Sequence, residues 1–213
     1  MARAATHPIG HGTARGRGRA LSAGFCIGIG VAVVAVVVLA VVLANVSSSN
    51  GGGSRTSSVS VSGPARSSML QTGDKVPAFS GPGLTGGRVG SAQFAGHPAV
   101  LEIWAPWCPH CQAELPIMGQ VAPQFPGVEV VMIETAMGQE PGPSGEGFFA
   151  QHHLTFPSAV DDANGTLAAA MGVQGFPTVY FVGSDGRVVD SFTGEASAPA
   201  IAGKFRELQS LEQ

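Results

Sequence analysis

Val100-Leu-Glu-Ile-Trp-Ala-Pro-Trp-Cys-Pro-His-Cys111 is the stretch on which the fold turns. Ala99 to Trp104 is a continuous apolar run broken by one acid, Glu102. A short run of this kind reads as a strand buried on both faces at the centre of a sheet. Five residues later, Pro109 opens a helical pattern that runs to Val121, and proline is favoured in a first helical turn because its missing N–H is not needed there. Pro116 falls inside that helix and is expected to kink it. The sequence therefore predicts a buried strand passing through a tight turn into a helix, with Cys108 and Cys111 at the junction.

The neighbouring segments extend this unit. Phe79 to Val89 reads as a hairpin turning at Thr85-Gly86-Gly87. Val128 to Thr135 is a second buried strand, and Gly147 to Leu154 a short helix. Asn164 to Met171 is another helix, with Asn164 as its cap and Gly172 closing it. Thr178 to Val182 and Arg187 to Phe192 form a hairpin around Ser184-Asp185-Gly186, and Ala198 to Leu211 is the last helix. Strand, helix and strand followed by an antiparallel hairpin and a helix predict an α/β domain with a mixed central sheet flanked by helices.

The two cysteines carry the chemistry. At this spacing on a first helical turn their sulfurs can bond to each other, closing a loop too short to stabilise the fold much. Such a ring is suited to opening and closing. Unpaired N–H groups and the helix dipole at Cys108 favour the thiolate, the form that attacks and leaves. Cys111, one turn in, is shielded and acts second. The alternative, half of a structural zinc site, needs four ligands, and no second Cys-x-x-Cys exists. Glu102 on a buried strand is costly unless neutral or paired, so burial raises its pKa and makes it a proton relay for Cys111. Pro109 and His110 lie between the sulfurs, where a histidine cation favours the reduced, thiolate form. His152-His153, His97 and Glu114 read as surface residues, and Asp161-Asp162-Ala163-Asn164-Gly165 as a turn and helix cap.

The front of the chain differs in kind. Residues 1–73 carry six arginines and no acid, whereas residues 74–213 carry five basic and all 14 acidic residues. The resulting +6 and −9 give a net charge of −3, which argues against nucleic acid as a partner. Leu21 to Ala44 is 24 residues without a charge. As a helix it spans about 36 Å, enough to cross a hydrocarbon core of roughly 30 Å. Arginines 3, 15, 17 and 19 before it place residues 1–20 in the cytoplasm and the rest outside. Either a retained anchor or a cleaved signal peptide fits, and both export the chain. Cys26 is a small apolar member of this run. Residues 45–71 are Ser/Gly-rich and read as a flexible tether, leaving 72–213 as the folded domain.

Trp107-Cys-Pro-His-Cys111 after Val100–Pro106 resembles the thioredoxin superfamily, and within it the membrane-tethered, extracytoplasmic TlpA/ResA/DsbE-type thiol–disulfide proteins. The resemblance covers about residues 72–211. It implies Cys108 as nucleophile and Cys111 as resolving cysteine, the two forming the redox disulfide. It implies Pro116 as the helix proline, Trp104 and Trp107 as flanking tryptophans, and Glu102 as the buried acid beneath the dithiol. Gly175-Phe176-Pro177-Thr178 matches the loop whose cis-proline faces the disulfide, so Trp107, Phe176 and Pro177 are expected to hold the substrate chain. The stretch Val76–Val89 matches the N-terminal hairpin of that branch, and the long step from Cys108 to Pro177 its insertion, here around residues 124–155. The implied protein is an oxidoreductase without a resident cofactor. It acts on exported thiols and disulfides, as an oxidant or as a reductant of apocytochrome c, and is reset by a membrane redox partner. A copper-handling protein, with Cys108, Cys111 and one histidine as soft Cu(I) ligands, is the rival from another class.

Overall fold

The computed structural model describes residues 58–135 and 141–211. Its strands are β1 (Ser60–Val61), β2 (Phe79–Pro82), β3 (Arg88–Gly90), β4 (Ala99–Trp104), β5 (Glu129–Glu134), β6 (Ser158–Val160), β7 (Thr178–Val182) and β8 (Val188–Thr193). The α-helices are α1 (Pro109–Val121), α2 (Gly145–Gln151), α3 (Thr166–Met171) and α4 (Ala198–Ser210).

Every residue of β4 is buried, as its apolar run requires. It is the middle strand of a five-stranded sheet ordered β6-β5-β4-β7-β8. The β4, β5 and β6 strands are parallel, and β7 and β8 are antiparallel to their neighbours, giving the expected mixed sheet. Alternation along β4 divides the core. Val100 and Trp104 lie in a cluster with Cys111, Leu115 and Met118 of α1 and with Ile201, Phe205 and Leu208 of α4. Leu101 and Ile103 lie in the other cluster, with Leu167 and Met171 of α3 and Phe79 of the small β1-β2-β3 sheet. Glu102 has the parity of Val100 and Trp104, so alternation sends its carboxylate towards the side where α1 packs. Trp104 stacks on Phe149 of α2, with centroids 5.4 Å apart.

Four sequence expectations need correction. The folded domain begins before residue 72. Val61 pairs with Phe79, Arg66 N–H donates to Ala169 O at 2.9 Å, and Leu70 is fully buried. The Ser/Gly composition of 45–71 concealed these isolated apolar anchors, and only its 45–57 part falls outside the described residues. The helix expected from Asn164 starts at Thr166, with Gly165 at the cap in the left-handed region (φ 66°). Its free N–H groups are taken by acids instead: Asp161 accepts from Leu167 and Ala168, and Asp162 from Thr166. Strand β6 was not expected at all, and the helix expected at Gly147–Leu154 runs over Gly145–Gln151, capped by Ser144. The α1 helix continues past Pro116 to Val121. The apolar run Leu21–Ala44, its arginines and Cys26 lie outside the described residues.

Candidate active site

Cys108 is the N-cap residue of α1, in extended conformation, with Pro109 following in the first turn. Its N–H donates to Ala105 O at 3.0 Å, so the turn out of β4 is pinned by the backbone itself. The cysteine is 5% exposed and Cys111 is fully buried. Both are free thiols in this structure. Cys108 thus keeps a small exposed edge, and Cys111 keeps none. Its Sγ donates to the carbonyl oxygen of Phe176 at 3.7 Å, and the Phe176–Pro177 bond is cis. Trp107 packs edge-on against Phe176, with ring centroids 5.8 Å apart. The motif and the Gly175–Thr178 loop, distant in sequence, are therefore one site.

Beneath the sulfurs lie carboxylates. Glu102 is fully buried, and neither of its oxygens has a hydrogen-bond partner among the described residues. Burial raises its pKa well above 4.5, and the charge of Glu114 adds to this. Burial also pushes the Cys111 thiol up; its hydrogen bond to Ala105 opposes this, while Cys108 and the Glu102 charge reinforce it. A thiol held protonated beside a carboxyl that is itself reluctant to ionise is a pair able to pass one proton between them.

Glu114, read from sequence as a surface residue, is fully buried. Burial lifts its pKa from 4.5 to about 7, against the pull of a hydrogen bond from Ala196 N–H to its Oε2. The signal was available in the helical period. Residues 111, 115 and 118 share the buried face of α1, and position 114 falls on that face, three residues after Cys111. Glu195 was also missed. Its Oε2 lies 3.1 Å from His110 Nδ1 at the exposed rim. The pairing joins residues 85 apart, and no local pattern signals it. Glu134, at the end of β5, is a further buried acid, raised to about 7 by burial.

The remaining candidates lie apart from the site. Asp161 and Asp162 serve as caps, as expected of that turn, and the His152 ring packs on Phe148 at 4.4 Å. No group of three or more His, Cys, Asp or Glu placed to hold a metal occurs among the described residues.

A dithiol at a helix N-terminus, facing a cis-proline loop on a mixed five-stranded sheet, defines a thiol–disulfide oxidoreductase of the thioredoxin superfamily. Comparison with known proteins agrees. Residues 71–208 match the Redoxin family model, and the chain belongs to the Redoxin family. It is 27% identical over 141 residues to the thiol-disulfide oxidoreductase ResA of Bacillus anthracis, covering 65% of this chain and 79% of that protein. It is 33% identical over 134 residues to the soluble secreted antigen MPT53 of Mycobacterium tuberculosis, covering 62% and 75%. Among solved structures, a secreted M. tuberculosis disulfide oxidoreductase homologous to E. coli DsbE is 32% identical with a TM-score of 0.51, covering 61% of this chain and 96% of that one. A Chlorobium tepidum protein described as a thiol:disulfide interchange protein DsbE is 29% identical with a TM-score of 0.58, covering 65% and 98%.

Proposed function

We propose that the chain exchanges disulfides with exported proteins outside the cytoplasm, held at the membrane by residues 21–44. The observation that carries the exchange chemistry is the asymmetry of the pair. Cys108 reaches the surface against Phe176, while Cys111 is sealed above Glu102. Export is supported by the basic, acid-free front of the sequence and by the secreted relatives, and anchoring by the uncharged apolar run Leu21–Ala44 alone.

In the reducing direction the Cys108 thiolate attacks one sulfur of a substrate disulfide, forming a mixed disulfide and expelling the other sulfur as a thiolate, which then takes up a proton. Glu102, ionised for this step, takes the Cys111 proton, and the resulting Cys111 thiolate attacks Cys108 Sγ. The second substrate sulfur leaves, and the Cys108–Cys111 bond forms. Two electrons have passed to the substrate. In the oxidising direction the steps reverse, with a substrate thiolate attacking Cys108 of the closed pair. Trp107 and Phe176 form the wall against which the substrate segment lies, and a membrane redox partner restores the pair after each turnover.

Pro109 and His110 between the sulfurs tune the direction. The reduction potential decides it: a value near about −120 mV belongs to an oxidant and near about −270 mV to a reductant. Equilibration of the full chain with glutathione gives that value. Replacing His110 with alanine is expected to lower it, and an unchanged potential contradicts the tuning role. Residues 45–213 should be accessible from outside intact cells, and protection from an impermeant label would overturn the proposed location. The copper reading, with Cys108, Cys111 and one histidine as ligands, finds no group of three or more His, Cys, Asp or Glu placed to hold a metal among the described residues.

A further inference from the structure

The segment after β8 brings to the dithiol a carboxylate that the steps above leave unused. Glu195 Oε2 is 3.1 Å from His110 Nδ1, with the histidine side chain 66% exposed and the glutamate 42%. The next residue, Ala196, donates its N–H to the buried Glu114. Two successive residues of this loop are thus tied to α1, one at its surface and one at its buried face. When Nδ1–H is given to Glu195, Nε2 becomes the nitrogen that gains or loses a proton. Nε2 has no partner among the described residues. Beside the pair opens a cavity of about 520 Å³ lined by His110, Ile117, Glu195, Ala196 and Ser197. An imidazole whose tautomer is set by a carboxylate, two residues from an attacking sulfur and open to a space of that size, has the parts of an oriented acid–base pair.

We propose that His110 is a catalytic residue that carries the proton of the substrate sulfur, and that Glu195 is its positioning residue. This rests on the exchange reading, since it names the group serving the substrate side of that same reaction. In the oxidising direction the substrate thiol gives its proton to His110 Nε2, and the resulting thiolate attacks Cys108 Sγ. The Cys108–Cys111 bond breaks, and Cys111 leaves as a thiolate that takes a proton from Glu102. In the reducing direction the Cys108 thiolate attacks, and the expelled substrate sulfur takes its proton from the His110 imidazolium. The buried carboxyl serves Cys111, and the exposed pair serves the substrate. The charged or titratable groups around the imidazole are Glu195 from the loop after β8, Cys108 and Cys111 from the start of its own helix, and Glu114 one turn on. Of these, Glu195 is the one in hydrogen-bond contact.

The test compares two disulfides reduced by the pre-reduced full chain between pH 5 and 9. One is a cysteine peptide disulfide, whose leaving sulfur needs a proton. The other is 5,5′-dithiobis(2-nitrobenzoate), whose leaving thiolate does not. The ratio of the two rates should fall about tenfold in E195Q near neutral pH, below the roughly hundredfold low end of acid–base effects because water substitutes in part. It should recover in E195D, fall equally in H110A, and fall no further in the double variant. Equal slowing of both disulfides by E195Q, an unchanged ratio, or additive losses in the double variant would overturn the proposal. If the unaltered chain reduces neither disulfide, the exchange reading itself fails, and the proposal with it.

Discussion

The Sγ of Cys108 donates to the carbonyl oxygen of Phe176, 68 residues further along the chain, at 3.7 Å. The Cys108 sulfur and the segment facing it are therefore held by two different elements of the same sheet, the exit of β4 and the entry of β7. That geometry leaves Cys108 an edge to solvent and leaves Cys111 none.

Selective alkylation follows. The reduced chain treated with iodoacetamide near pH 8 should take one label within the domain, at Cys108, because burial both hides Cys111 and holds its thiol protonated. Peptide mapping by mass spectrometry reads the outcome. Equal labelling of the two sulfurs in the folded protein contradicts the asymmetry.

Glu102 should act on the second step of exchange and not on the first. Replacing it with glutamine removes the proton acceptor next to Cys111, and resolution of the mixed disulfide should slow about a hundredfold, the low end for a lost acid–base group. Rapid-quench separation of the two steps measures this. Comparable slowing of the initial attack would place Glu102 elsewhere in the mechanism.

Glu134 makes stability pH-dependent. Its folded-state pKa is raised from 4.5 to about 7, so the folded chain binds this proton more tightly than the unfolded chain does. Between those values stability falls as pH rises, and above pH 7 the full cost is present, at most roughly 3 kcal/mol. Glu134→Gln should therefore gain stability over the unaltered chain at pH 8 and little at pH 4, as read by urea unfolding. An equal difference at both pH values would contradict this.

Leu70 belongs to the core. Its side chain is fully buried, and its N–H donates to the Tyr180 hydroxyl, which in turn donates to Met171 O at 2.7 Å. Leu70→Ala should cost about 2–4 kcal/mol, the range for a large-to-small change in a packed interior. A loss under about 0.5 kcal/mol, as at an exposed site, would return residues 58–71 to the tether.

The parts legible in the sequence share a property: their signal is local. The apolar run of β4 with proline just inside the next helix fixed the strand–turn–helix unit, and a lone acid in that run marked Glu102. The parts missed depend on distance or on scarcity. Glu114 is charged by type and buried by position, and only its place on the helical face reveals that. Glu195 reaches His110 through the packing of the β8–α4 loop against α1. Leu70 stands with only Met69 beside it in a polar stretch, and β6 has three residues, too few for a pattern. Asn164 had the chemistry of a cap, but Asp161 and Asp162 precede it with stronger acceptors and take the free N–H groups of α3.

The most direct test of the exchange mechanism is trapping. Cys111→Ser in the full chain removes the resolving sulfur and leaves the attacking one. Incubated with a disulfide-containing peptide, it should accumulate a covalent adduct joined through Cys108, released by dithiothreitol and absent from Cys108→Ser. If no adduct forms, or if Cys108→Ser exchanges disulfides as fast as the unaltered chain, the two sulfurs do not divide the work in this way.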